Sequence, residues 1–356
     1  NTIFGVKVNL SDTSILNDIA KYIAGIKPNK NSKIFKLINN DIWMQYSANS
    51  DSVWDVINHK NILKMDKWRD NELNDINKQI KTVFYPFSGP DFLFVNKFFP
   101  NAEKYYMFAL ENIGELPDIG KFNKYKLELY LSEINYSMRD ITKSTFFITK
   151  NMINDLNKPE VGGVLPIIMV FMARTNNNIL SIKPVKINSE GEIEYLKSYI
   201  NYKGKNRYGK GFEICFCKDN PNIKHYLYYF PYDLSNNGFK YYPELSKFIS
   251  KLDSLTVTYI KSASYLMHNK DFTEIKKHIL QKTLFLVQDD SGIPYSDFDK
   301  SKWNITLYGK YIKPISDFSW CMQKNLKDAY EKESKPMPFK IGYGYISNLQ
   351  VARRLK

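Results

Sequence analysis

The chain has 356 residues, 43% of them hydrophobic and 25% charged, which excludes a disordered or collagen-like polymer and provides for a large buried core. Lys and Arg outnumber Asp and Glu by 51 to 37, a net charge of +14 that points first to a polyanionic partner. The excess is 45 Lys against 6 Arg, beside 35 Asn, and residues 1–119 are electrically neutral; this is in part the mark of A/T-rich codons, and so little Arg ranks nucleic acid last among partners.

In chain order, residues 12–82 carry helical spacing (Ile15, Ile19, Tyr22, Ile23, then Trp54, Ile57, Trp68, Leu73, Ile76), with Asp12 capping the first helix and Gly25 and Pro28 ending it. They predict a helical layer over 1–82, packed on a main domain of 83–356 or continuous with it. A strand over 82–87, a short helix from Phe92 and a strand over 104–111 predict a βαβ-like unit. Helices are expected over 121–140 and 144–157. Strands are expected over 163–174, 179–187, 192–200, 211–218 and 224–230. Helices return over 243–252, 255–268 and 271–282, and a strand pair over 284–288 and 303–308 leads through a helix over 314–332 to a Gly/Tyr tail. The fold class is α+β, a helical N-terminal layer followed by a mixed sheet flanked by helices.

Three Cys make no disulfide framework, and Cys215-x-Cys217 lacks the second ligand pair of a zinc site. No His pair, dinucleotide loop or EF-hand pattern is present, so the expectation is no metal and no cofactor. No apolar run reaches the ~18–20 residues of a membrane helix. The chain begins at Asn1 without Met, as expected of a mature protein freed of its signal peptide or of a trimmed chain.

Four constellations carry chemistry. In Tyr85-Pro-Phe-Ser-Gly-Pro-Asp-Phe92 a strand turns into a helix whose first amides could hold an anion, with Ser88 as nucleophile or ligand and Asp91 orienting it; the S-x-x-D spacing equally fits a capping box. On the helix expected over 255–268, Lys261, Ser264, Tyr265 and His268 share a face, giving a cation, a nucleophile and a base, or simply a packed helix. Gln288-Asp-Asp-Ser-Gly-Ile-Pro294 is a strand end presenting Asp289, Asp290 and Ser291, either as carboxylates for a site or as a turn in which Gly292 takes positive φ. The basic, Gly-rich stretch 202–211 lacks the phosphate-loop pattern and reads as a hairpin.

Phe84-Tyr-Pro-Phe-Ser-Gly-Pro-Asp-Phe-Leu93, Phe98-Phe-Pro-Asn-Ala102, Gly163-Val-Leu-Pro166, Phe171-Met-Ala-Arg-Thr175, Lys261-Ser-Ala-Ser-Tyr-Leu-Met-His268, Gln288-Asp-Asp-Ser-Gly-Ile-Pro294 and Tyr308-Gly-Lys-Tyr311 resemble, in order, a family of bacterial proteins without an assigned activity that are predicted to be exported. The resemblance covers most of residues 80–350 and implies a periplasmic or secreted protein of the cell envelope, tethered by a lipid in one form of that reading. The first expectation is a protein binding an anionic or glycan-like envelope ligand where the Ser88, His268 and Asp289/Asp290 segments converge, through Asp91, Arg174, Lys261, Tyr265, Asp289 and Ser291. The alternative is a hydrolase or transferase with Ser88 or Ser264 as nucleophile, His268 as base and Asp290 or Asp289 as orienter. A structural or assembly partner of the envelope is the third. Oligomeric state is left open.

Overall fold

The computed structural model describes residues 2–3, 6–7, 12–144, 162–197, 208–253, 255–343 and 346–355. The helix expected over 144–157 and most of the basic hairpin lie outside these residues. A two-residue hairpin, β1 (Thr2–Ile3) and β2 (Val6–Lys7), precedes the helical layer. That layer contains α1 (Thr13–Ile23), α2 (Asp41–Ile57), α3 (Leu63–Glu72) and the short α4 (Asn74–Asn77). Asp12 caps α1 as expected, its carboxylate accepting from the amides of Ser14 and Ile15.

The centre of the molecule is a ten-stranded mixed sheet. Its strands in chain order are β3 (Thr82–Pro86), β4 (Lys104–Ala109), β5 (Asn178–Ile187), β6 (Ile193–Tyr195), β7 (Lys210–Cys217), β8 (His225–Pro231), β9 (Thr256–Ile260), β10 (Phe285–Gln288), β11 (Trp303–Gly309) and β12 (Asn348–Arg354). They lie side by side as β11-β12-β10-β9-β3-β4-β8-β7-β5-β6. The middle five, β10-β9-β3-β4-β8, are all parallel, and the strands at both flanks are antiparallel. The βαβ unit is present: α5 (Phe92–Phe98) joins β3 to its parallel neighbour β4.

Alternate residues of the central strands feed two separate cores. Val83, Tyr85, Tyr105, Met107 and Tyr259 face the helical layer, α5 and α7 (Val164–Arg174), whereas Phe84, Tyr106, Phe108 and Ile260 face α9 (Pro243–Ser250) and α10 (Thr273–Lys282). Between α5 and α7 the chain forms α6 (Lys124–Ser144), and α8 (Asn236–Tyr241) leads into α9. A smaller third cluster pairs Leu307 and Tyr311 with α11 (Lys324–Lys332).

Four expectations are corrected. Residues 163–174 are helical because α7 is buried on every side: an apolar run then shows no periodicity, and Pro166 sits in the first turn, where its missing amide costs nothing. The expected helix over 255–268 is instead the central strand β9, built from Thr256-Val-Thr-Tyr-Ile260, whose β-branched and aromatic side chains fit a sheet covered on both faces. The helix over 314–332 breaks into a 3-10 stretch, Ser316–Cys321, and α11. The tail supplies β12, which inserts between β10 and β11.

Candidate functional site

Strands β9, β3, β4 and β8 end on the same edge of the sheet, and the segments that follow them surround a cavity of about 260 Å³. This edge has a particular topology. From β3 the chain crosses to β4 over the face carrying α5, while from β9 it crosses in the other direction to β10 through α10, on the opposite face. Between β3 and β9 the connections therefore part, leaving a crevice outside their carboxyl ends, where open parallel sheets place ligands. Ser88, Gly89 and Asp91 line it from the β3 side and Lys261, Ser262 and Ser264 from the β9 side.

The β3 and β9 loops are locked together below this crevice. Lys261 Nζ lies 2.6 Å from Asp91 Oδ2, both side chains at most 2% exposed, and 3.9 Å from the centroid of the Phe94 ring. Asp91 is the N-cap of α5, accepting from the Phe94 amide at 3.1 Å, and also accepts from the Tyr85 hydroxyl at 2.9 Å. Burial draws the Lys261 pKa below its ordinary value, opposed by Asp91 and then Asp289. The capping reading of this segment is thus right in kind, but the cap is Asp91. The Ser88 hydroxyl instead donates to the Gly89 carbonyl at 3.0 Å, and the Ser88 amide donates to Phe108 O at 2.9 Å.

The loop after β9 is fixed by the turn after β10. Asp289 accepts from the Ser262 amide at 2.8 Å and from the Ser291 amide and hydroxyl, and the Ser291 hydroxyl accepts from the Ala263 amide at 2.7 Å. Asp290 accepts from the Tyr265 hydroxyl at 2.5 Å and from Asn348 at 2.8 Å. Burial first, then the neighbouring Asp290 charge, pushes Asp289 up to about 7. Burial raises Asp290 as well, with Asn348 and Tyr265 opposing. The two carboxylates do face different partners, as adjacent residues at a strand end should, but neither lines the cavity. Gly292 does not take positive φ; it is needed because a Cβ there would stand 2.3 Å from Gln288 Oε1.

The three segments are tied together through Asp91–Lys261 and Ser262–Asp289, but of their expected site residues Ser88, Asp91, Lys261 and Ser264 line the crevice while Asp289, Asp290, Ser291, Tyr265 and His268 do not. The shared helix face of Lys261, Ser264, Tyr265 and His268 does not exist, because Ser262, Ser264 and Tyr265 all adopt left-handed backbone at φ 53°, 52° and 53°. This turns successive side chains to different sides. Lys261 goes to Asp91, Ser264 meets the Tyr343 hydroxyl at 3.2 Å, and Tyr265 goes to Asp290. His268 lines a second cleft beyond the loop, has a buried Nε2 without a hydrogen-bond partner, and is held below its ordinary pKa by burial. Among the described residues no serine hydroxyl reaches it, so the Ser/His/Asp arrangement of the enzyme expectation is not assembled. Arg174 stands apart from the site, joining the end of α7 to Asp51 at 2.6 Å and to the Ala24 carbonyl. Cys215 and Cys217 are buried thiols on β7 and Cys321 is a third, each pushed up in pKa by burial.

Sequence reasoning passed over part of the lining: Phe87, Leu110, Glu111, Asp233 and Phe272. The readable signal was position, since Phe87, Leu110 and Asp233 follow directly on the strands or within two residues of their ends. Phe87 is also left-handed, at φ 61°, so four of the five non-Gly residues with positive φ among those described line this crevice or its loop. Such backbone costs about 1–3 kcal/mol per residue and persists where surrounding structure enforces it, most often at binding sites. Ser262 lines the cavity, and its hydroxyl is buried without a hydrogen-bond partner among the described residues. No helix among the described residues is long and apolar enough to cross a membrane. No protein-family model matches this chain, and no curated protein matches it.

Proposed function

We propose that this protein binds a small polyhydroxylated ligand, the end of an envelope glycan, in the crevice between β3 and β9. The observation that carries the reading is the crevice itself, a cavity outside the carboxyl ends of β3 and β9 at the switch point of a parallel sheet, with Ser88, Ser262 and Ser264 on its walls and left-handed backbone at Ser262 and Ser264. The rest of the lining has the same chemistry. Ser88 and Ser264 add hydroxyls, Glu111 and Asp233 add carboxylates that accept from sugar hydroxyls, and Phe87 and Phe272, 5.9 Å apart, supply an aromatic wall. Three carboxylates against one lysine, itself paired with Asp91, disfavour an anion in this crevice, so the glycan half of the expected ligand class is the part this pocket supports. An envelope location, periplasmic or secreted, belongs to the same proposal and rests on the family resemblance.

Saturation-transfer NMR with a panel of neutral mono- and disaccharides tests the reading. At least one should bind wild type and lose its signal in Leu110→Trp, which adds an indole at the half-exposed rim of the cavity without touching the buried ion pair. Absence of binding by the whole panel, or equal binding to the variant, overturns it.

A further inference from the structure

Across the Ser264–Leu266 loop lies a second and larger cleft, about 1020 Å³, and both residues line the two cavities at once. Its walls differ in charge from the first. Lys270 and Lys324 line it, both exposed and without an ion pair among the described residues, and no described carboxylate does; the neighbouring Asp271, Asp317 and Asp297, the last paired with Lys276, lie outside the lining. Its aromatic content is also unusual in being open to solvent. Trp320 is 75% exposed and stands 5.6 Å from Phe318, which packs 5.0 Å from Tyr265. An indole left this open has apolar area to gain by stacking on a ring.

We propose that the ligand continues from the crevice over the Ser264–Leu266 loop into this cleft, and that its continuation is acidic: the substrate class is an oligosaccharide with carboxylated sugar units beyond a neutral end. This rests on the reading of the first crevice as a sugar site. Trp320 is the platform for a ring in the cleft, and Lys270 and Lys324 are the cations that meet its carboxylates. The division of labour follows from the lining, since acidic units are disfavoured by the carboxylates of the crevice and favoured by the lysines of the cleft.

The test compares an oligogalacturonate tetramer with a neutral cello-oligosaccharide of equal length, at low ionic strength, by calorimetry and by tryptophan fluorescence. Wild type should bind the acidic tetramer about tenfold more tightly, the sum of two exposed charge contacts. The double variant Lys270→Gln/Lys324→Gln should lose that preference while keeping its affinity for neutral monosaccharide. Trp320→Ala should remove the fluorescence response and weaken both tetramers without affecting the monosaccharide. If monosaccharide binds in a Leu110-dependent manner but the acidic tetramer gains nothing, or if the double variant keeps the preference, the acidic extension is wrong and the crevice reading stands. If no saccharide binds at all, both are wrong.

Discussion

The Asp91–Lys261 pair is the point at which the two loops of the crevice are tied, and its removal has a calculable signature. Lys261→Met leaves the Asp91 carboxylate inside the protein with the Tyr85 hydroxyl and the Phe94 amide but without its counter-charge at 2.6 Å. Asp91→Asn keeps an oxygen for the cap and strands the ammonium instead. Each single change should cost about 3–5 kcal/mol, the usual penalty for an uncompensated buried charge. The double variant Asp91→Asn/Lys261→Met buries no charge, and Met follows the course of the Lys stem, so it should cost about 1–3 kcal/mol. The coupling is then about 3 kcal/mol or more in favour of the pair. Guanidinium unfolding at pH 7, followed by circular dichroism and tryptophan fluorescence with coincident transitions, measures all corners of the cycle. A domain of ordinary stability has about 5–15 kcal/mol to lose, so a single variant can fail to accumulate, and recovery of folded protein on adding the second change is then the readout. Single costs that simply add, within about 0.5 kcal/mol, would falsify the claim that the pair ties the loops.

Carbon-detected NMR titration should find the Asp289 carboxyl with a midpoint near 7, and Asp290→Asn should lower it part of the way toward the ordinary carboxylate range, because burial, the larger cause, remains. Since the folded pKa is raised above that of the unfolded chain, Asp289 binds its proton more tightly when folded. Its contribution to stability is therefore present below about pH 4 and is lost as pH rises through 7, a difference of at most about 4 kcal/mol. Ser262→Gly relieves a left-handed Ser and removes the unpartnered hydroxyl, so unlike an ordinary Ser→Gly change it should leave stability equal or higher by up to about 1 kcal/mol while weakening saccharide binding several-fold; a loss above 1 kcal/mol contradicts it. A fluorophosphonate probe should not label the protein, because His268 lies across the loop from Ser88 and makes no bond to Ser264; labelling abolished by Ser88→Ala or Ser264→Ala would restore the hydrolase reading.

The parts of the fold legible in the sequence are those where local pattern and tertiary setting agree. Amphipathic spacing marked the helices of 12–82, with Asp12 as cap, and strand, turn and short helix marked the βαβ unit around Asp91. Reading failed where burial erased periodicity. α7 and β9 are both surrounded by protein, so one looked like a strand and the other like a helix. The same failure propagated into the site. With β9 taken for a helix, Lys261, Ser264 and His268 shared a stripe; with β9 a strand, they scatter around a strained turn. The Ser88 and Lys261 segments still meet at one crevice, but their mutual geometry depends on backbone dihedrals that Ser and Tyr do not advertise. Arg174 was drawn in by its place in a recognisable segment, and its bonds show that this segment works for the core.

Net charge illustrates the same separation of levels. The chain is strongly basic, yet the crevice at its switch point collects three carboxylates around a neutralised lysine. Those carboxylates come from the segments that follow β3, β4 and β8, set there by the sheet and independent of overall composition. Among the described residues, the lysines of the last two thirds that line these cavities are Lys261, paired with Asp91 in the crevice, and Lys270 and Lys324 across the loop. A ligand steered to this surface by long-range attraction would therefore meet opposite local preferences within one loop's width. The contrast in lining follows from strand order, and under the proposed function it favours a polymer with a neutral end and an acidic interior over the uniformly charged polyanion suggested by composition alone.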